Sequence, residues 1–420
     1  FFKQKTAYES SLGLVGSEMC IRDRFGAYGT TQGCLGLFIK PIEYDTGWSR
    51  TAISFVPSIL LAANFTASIW WGLLADKWSI KGVLILSGLC LSIGFLVSST
   101  SSTITLIYVF LGVIGGIGVG GSAGPLSGLA ARWFQDQKAF GIGLGYSGVS
   151  SGTVLLPFIV SPVINQYGWR FAFVLLGSVA LFCFWSAGLI LREPRNGDAI
   201  SADTLEKRKI ESDHAVKLLR PQTSLSTAIR SSDFWILFLM HILGVFVLQM
   251  TVIHMVPDAI EHGISSHQAT FLLPLVGVLS ILGKIGGGSL GDKVGNRKML
   301  LFAFLLQSTT LIFINTFDSL WAYYLFAALF GLTYGTWSPQ IPAIAGNTFG
   351  AKNLGAIMGG IMPSGAIGGF VGPAFAGILF DHFGNYTFAF YVGAAVCIIT
   401  AILPSLITQK SRSTKQIKAS

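Results

Sequence analysis

The chain has 420 residues, a net charge of +9, a mean hydropathy of +0.64, 52% hydrophobic residues and only 11% charged ones. A soluble domain is nearer a quarter charged, so this chain carries more apolar surface than a soluble core can hide, and the bilayer is part of its solvent. Its five cysteines stand singly, without CxxC or metal-ligand spacing, which argues against a disulfide framework and against a metal site.

Residues 1–24 (FFKQKTAYESSLGLVGSEMCIRDR) differ from the rest: polar, mixed in charge and without signal-peptide architecture. They resemble translated sequencing-adapter tails at the ends of assembled gene models and are set aside as a non-native tail. From Phe25, apolar runs follow at roughly 25–40, 51–75, 82–100, 104–132, 139–166 and 169–191. A polar segment, Arg192–Ser232, precedes a second set at roughly 233–260, 267–290, 298–316, 319–348, 353–381 and 385–408. Most runs exceed the ~20 residues that cross a bilayer. The expected fold is an all-α membrane protein of twelve transmembrane helices, six in 25–191 and six in 233–410. A linker at 192–232, with a short amphipathic helix around 205–219, joins them, and 411–420 form a tail.

Lys and Arg crowd the alternate loops that hold Lys77, Lys81, Arg132, Lys293, Arg297, the linker and the tail, against only Lys40, Arg50 and Arg170 on the other side. This positive-inside bias places the motif loops and both termini in the cytoplasm of a cell (inner or plasma) membrane. The basic excess is thus a topology signal, and no nucleic-acid partner is expected.

Two stretches repeat. Gly72-Leu-Leu-Ala-Asp76-Lys77-Trp-Ser-Ile-Lys81 ends the second run, and Gly288-Ser-Leu-Gly-Asp292-Lys293-Val-Gly295-Asn-Arg297-Lys298 ends the eighth. The glycines can pack on neighbouring backbones. A carboxylate there can cap a helix N-terminus, and Lys77 and Lys81 can pair with it and anchor the loop to the inner leaflet. Glycines and prolines also crowd the fourth and eleventh runs, as expected of bent helices at close crossings around a cavity.

On these residues the chain resembles the major facilitator superfamily, whose signature G-x-x-x-D-[RK]-x-G-[x]-[RK]-[RK] lies between helices 2 and 3. The second copy fits almost fully; the first has Ser79 where Gly is usual. The resemblance implies two bundles around a central cavity, rocking between two faces. It makes Gly72, Asp76, Lys77, Lys81, Gly288, Asp292, Lys293 and Arg297 conformational-switch residues. Lys40-Pro41, Gly47-Trp48-Ser49-Arg50, Ala131-Arg132-Trp133-Phe134, Tyr167-Gly168-Trp169-Arg170 and His254-Met-Val-Pro257 look like the monocarboxylate-porter and oxalate/formate-antiporter-like branches. Those branches imply small organic anions, with a proton or a counter-anion as coupling partner.

A charge inside a span is costly and points to function. Lys284 is the outstanding case, one turn before Gly288 and ~12 Å deeper than Asp292. The 216-residue offset between the motif copies puts Ser68 at the matching place, so the repeat does not require a base there. In the resembled transporters a cation here, commonly Arg, binds the substrate carboxylate; a snorkelling lysine is the structural alternative. Where the monocarboxylate porters carry a lysine in helix 1, this chain has Gly33. One deep cation favours a monoanion.

Tyr28, Gln32, Asn64, Tyr146, Gln249, Tyr334 and Trp337 are further substrate-site candidates, with Thr31, Ser150 and Gln340 as lesser ones. With no deep Asp or Glu in the spans, His254 and His241 are the proton-coupling candidates; His262 and His267 are expected in solvent. The reading is a secondary transporter of a small organic anion, a monocarboxylate first, with a monomer as the functional unit and no cofactor. Efflux of another small molecule and a membrane sensor on the same scaffold are the alternatives. No paired carboxylates or nucleophile–base set suggests an enzyme.

Overall fold

The computed structural model describes residues 18–134, 137–191 and 223–407. These form helices, with no strand among the described residues. The amphipathic helix expected around 205–219, the tail 411–420 and residues 1–17 lie outside them.

Helix α1 (18–46) is irregular: a π-turn over Gly29–Gly33 and a 3-10 turn over Leu35–Phe38 precede its last part, Ile39–Thr46. It begins before Phe25, and Asp23 and Arg24 are fully buried, so the residues closest to the expected boundary continue the first helix. There follow α2 (Arg50–Lys77), α3 (Ile80–Ser99) and α4 (Ile104–Trp133). A single helical stretch, Lys138–Ile190, breaks at Gly168, whose φ of +81° is open to glycine, and so divides into α5 (138–167) and α6 (169–190). Beyond a short turn at Leu225–Ile229 come α7 (Ser232–Glu261), α8 (His267–Val294) and α9 (Asn296–Ile314). Helix α10 (320–349) is interrupted near Pro339, and α11 (Leu354–Phe383) and α12 (Thr387–Leu406) complete the chain. Among the described residues nine helices are long and apolar enough to cross a membrane, α5 and α6 being one continuous stretch and α1 and α10 not among the nine.

The departure of the first motif copy from the signature has a local cause. Ser79 sits in extended backbone and its hydroxyl accepts the Gly82 N–H at 3.4 Å, N-capping α3. Its counterpart Gly295 opens α9 at φ +110°, a conformation for which glycine is suited. The two copies make the same hairpin by different turns.

Apolar burial divides along the chain. Two clusters use only residues from the N-terminal helices; the third draws on the C-terminal ones and reaches back to Ala130, Ala131, Ala139 and Ile142. Within each group, glycines let helix backbones touch. A Cβ on Gly116 of α4 would meet the Leu60 carbonyl of α2 at 2.4 Å, and one on Gly335 of α10 would meet the Ser280 carbonyl of α8 at 2.2 Å. Gly335→Val is therefore expected to cost about 1–3 kcal/mol or more and to lower Tm by several degrees in detergent. Gly286→Ala is the control, because a Cβ there meets nothing within 4 Å; equal shifts for the two would refute the seam.

Candidate functional site

The structure brings Lys284 to the contact between the two helical groups. Its side chain is 1% exposed, on a π-turn of α8 over Gly283–Gly287. The widened turn is the kind of irregularity that re-aims a side chain at a functional site. Two contacts hold the backbone there. A Cβ on Gly283 would meet the Leu332 carbonyl of α10 at 2.2 Å, and a Cβ on Gly143 of α5 would meet the Lys284 carbonyl at 2.1 Å.

The ammonium donates to the Ser150 hydroxyl of α5 and stands 4.8 Å from the centroid of the Tyr334 ring of α10, a cation–π contact. Ser150 Oγ lies 2.7 Å from Ser280 Oγ, and Ser280 donates to the Gly277 carbonyl at 2.7 Å. A buried ammonium with neutral partners is short of compensation and is suited to an anion. The cation does not snorkel.

Tyr28 of α1, Tyr146 of α5 and Tyr334 lie within electrostatic reach of one another, so three of the expected residues converge near Lys284. Beside them the structure places Arg24, over the Tyr146 ring at 4.2 Å and hydrogen-bonded to Ser127. Trp337 packs edge-on against Tyr334, ring centroids 5.7 Å apart, and so adjoins the site, while the remaining candidates sit elsewhere. Gln32 is exposed, and Asn64 is buried where α2 meets α4. Gln249 lies beside Gly369 of α11. Trp337 wedges between α7 and α9, stacked 5.4 Å from Phe304 and against Gly244. No hydrogen bond joins any of these four side chains to Lys284 among the described residues. His241 bonds Ser364 at 2.6 Å, and His254 donates to the Pro373 carbonyl at 3.1 Å, so both tie α7 to α11.

The motif carboxylates cross from one group to the other. Asp76 accepts the Ala356 N–H at 3.0 Å, in the first turn of α11. Asp292 accepts the Ala139 and Phe140 N–H groups at 3.0 and 2.8 Å, in the first turn of α5. Each anion thereby satisfies orphan donors at the positive end of a helix from the opposite group. The glycines make this approach possible: a Cβ on Gly72 would meet the Gly355 carbonyl at 2.6 Å, and one on Gly288 the Ala139 carbonyl at 2.5 Å. The expected pairing of Asp76 with Lys77 and Lys81 is corrected. Both lysines are exposed and neither bonds the carboxylate; Arg132 is the cation whose field reaches Asp76. Lys293 is exposed too, and Arg297 half-buried.

A network missed in the sequence surrounds Asp292. Lys138 donates to Asn347 at 2.7 Å at the C-terminal end of α10, Asn347 to Asn296 at 3.1 Å, and Asn296 to Gln340 at 3.0 Å. Gln340, a lesser site candidate by sequence, instead donates to the Gly287 carbonyl at 2.9 Å and braces the motif.

At the end of the bundle away from the motifs, Asp258 is 3% exposed near the end of α7. It accepts the Tyr323 hydroxyl at 2.6 Å, and His262 lies between Asp258 and Asp318, at 3.7 and 3.6 Å. The expectations of no buried carboxylate in the spans and a solvated His262 are thus corrected: the tyrosine of α10 lets the carboxyl be buried. Tyr323→Phe leaves that carboxyl without its donor and is expected to cost about 1–3 kcal/mol, read as a lowered Tm.

An apolar cleft of about 600 Å³ between α2 and α4 is lined by Trp70, Trp71 and Leu74. It lies apart from Lys284 and has no cation for an anionic ligand.

The family model of the Major Facilitator Superfamily matches residues 25–287 and 234–420. Rat monocarboxylate transporter 12 is 27% identical over 395 residues, 88% of this chain and 80% of that protein. Human monocarboxylate transporter 2 is 22% identical over 382 residues, 87% of this chain and 79% of that protein. Among solved structures, the E. coli fucose:proton symporter has a TM-score of 0.70 at 15% identity, covering 93% of this chain and 98% of that one. The human organic anion transporter TETRAN has a TM-score of 0.70 at 16% identity, covering 94% and 99%. At such identities the structures speak for the fold, and the fold is that of these transporters. The chain belongs to the Major Facilitator Superfamily, as a multi-pass membrane transporter and not an enzyme, and is similar to the monocarboxylate transporters named above.

Proposed function

We propose that the protein is a secondary active transporter of a small monocarboxylate, working by alternating access and coupled to a proton or a counter-anion. The observation that carries this reading is Lys284, a buried cation at the contact of the two helical groups with only a hydroxyl and a ring as partners. A carboxylate of matching size would supply the missing negative charge, and Tyr28, Tyr146 and Tyr334 would wall the site. The names of the relatives, monocarboxylate transporters 12 and 2, agree with that substrate class.

In this reading the chain has twelve spans, six in 25–191 and six in 233–410, with α1 and α10 crossing and Gly168 separating α5 from α6. The family match starts at residue 25, which supports a non-native segment ahead of it; Asp23 and Arg24, buried and continuous with α1, are the exception. The motif end faces the cytoplasm with both termini, the membrane is the inner or plasma membrane, and one chain is the working unit. Asp76 and Asp292 hold that end shut while the opposite end admits substrate, and rocking breaks both caps. His254 and His241, bridging α7 and α11, are the groups through which a proton would act.

The test is uptake by purified protein in proteoliposomes of labelled monocarboxylates, dicarboxylates and organic cations, with a pH gradient or with internal counter-anion. Saturable, driven uptake of a monocarboxylate is the expected result. Movement of cations alone would overturn the reading.

A further inference from the structure

The hydrogen bonds around Lys284 run in one direction. Ser280 spends its proton on the Gly277 carbonyl at 2.7 Å. The 2.7 Å contact with Ser150 is then a bond from Ser150 to Ser280, which leaves Ser150 Oγ to accept from the Lys284 ammonium. A hydroxyl has one proton to give, so the order is ammonium, Ser150, Ser280, carbonyl. Lys284, Ser280 and Gly277 are all on α8; Ser150 alone comes from α5, in the other helical group. All three polar side chains are buried: Ser150 is 3% exposed, Ser280 fully buried and Lys284 1% exposed.

We propose that Ser150 is a positioning residue that holds the Lys284 ammonium in the empty transporter and competes with the substrate carboxylate for it. The inference rests on the reading that Lys284 binds the transported anion. Ser150 is the one hydrogen-bond partner of the ammonium among the described residues, so the empty site leans on it to offset a buried charge. A carboxylate is the better acceptor for an ammonium, being charged where the hydroxyl is neutral. Binding therefore draws the ammonium toward the anion and loosens its tie to α5. Ser150 would thus tune substrate affinity from the opposite group and couple the filling of the site to the α5–α8 contact.

Initial-rate uptake in proteoliposomes tests this with Ser150→Ala, Ser280→Ala, Ser150→Thr and Lys284→Gln, each first shown to be folded by its melting temperature. Ser150→Ala removes the competitor, and KM is expected to fall about 3- to 10-fold. Ser280→Ala removes only the acceptor behind Ser150 and is expected to move KM the same way by less. Ser150→Thr, which keeps the hydroxyl, is expected to restore the wild-type KM. A residue that merely packs α5 against α8 would leave KM unmoved, and a direct substrate ligand would raise it on removal; either result with Ser150→Ala overturns the proposal. If Lys284→Gln abolishes uptake while Ser150→Ala leaves KM unchanged, this inference fails and anion binding at Lys284 stands. If Lys284→Gln transports normally, the reading beneath it fails as well.

Discussion

Lys284→Gln is expected to lower kcat/KM for carboxylate uptake by roughly 30- to 4,000-fold while the protein melts at the same temperature or higher. Truncating one partner of a buried charge pair costs about 2–5 kcal/mol, because the other charge is left without compensation, and about 1.4 kcal/mol is tenfold. That loss falls on the substrate-loaded protein. The empty protein is affected in the opposite sense. There the ammonium is 1% exposed, with a serine hydroxyl and the Tyr334 ring as its contacts, and removing a poorly compensated buried charge is neutral or stabilising. The pairing of lost transport with retained stability separates a binding lysine from a structural one. Lys284→Arg keeps the charge but not the shape, and is expected to retain part of the activity. Uptake by Lys284→Gln within twofold of wild type would contradict the account.

The second large effect is expected at the motif carboxylates, and it is unequal. Asp292 accepts two backbone N–H groups at the start of α5 and is braced by Asn296, whereas Asp76 accepts one, from Ala356 of α11. A hydrogen bond to a charged group is worth about 1.5–3 kcal/mol, and a charge at a helix terminus adds about 0.3–1 kcal/mol. Asp292→Ala should therefore shift the balance toward an open motif end by more than Asp76→Ala; solvent contact at both carboxylates about halves these values, to roughly 2–4 against 1–2 kcal/mol. That range spans about a 5- to 1,000-fold change in the ratio of closed to open molecules. Spin labels replacing the exposed Lys81 and Lys352 would report it as a longer distance population, larger in Asp292→Ala. Unchanged distances in both variants would show that the caps do not hold this end shut.

What the sequence disclosed and what it hid divide along physical lines. The doubled motif is local, so its glycines, aspartates and hairpins could be read from spacing, and a cap could be expected of each carboxylate. Which helix end each one caps could not be read, since Asp76 meets Ala356 across 280 positions and Asp292 meets Ala139 across 153. Charge pairing with Lys77 and Lys81 was the local guess, and helix N-termini from the opposite group displaced it. Lys284 stood out because a lysine in an apolar run is rare. Ser280 lies one turn before it on the same face of α8 and is legible from spacing; Ser150, 134 positions away on α5, is not. Asp258 escaped because it lies near a helix end, where a carboxylate normally meets water, and its partner Tyr323 is 65 positions away. Gln32, Asn64 and Gln249 share polarity with a site residue but lie at other contacts or in the open, while Trp337 packs edge-on against Tyr334 beside the site.

The claim at the centre is that one buried lysine between two helical groups holds the transported anion. Equilibrium binding measures it without the complication of transport: purified wild type and Lys284→Gln are titrated with the monocarboxylate that proteoliposome uptake selects, at fixed pH and salt. Saturable binding by the wild type, and at least 30-fold weaker binding by a Lys284→Gln protein of unchanged melting temperature, is the expected result. Equal affinities for the two proteins would contradict it.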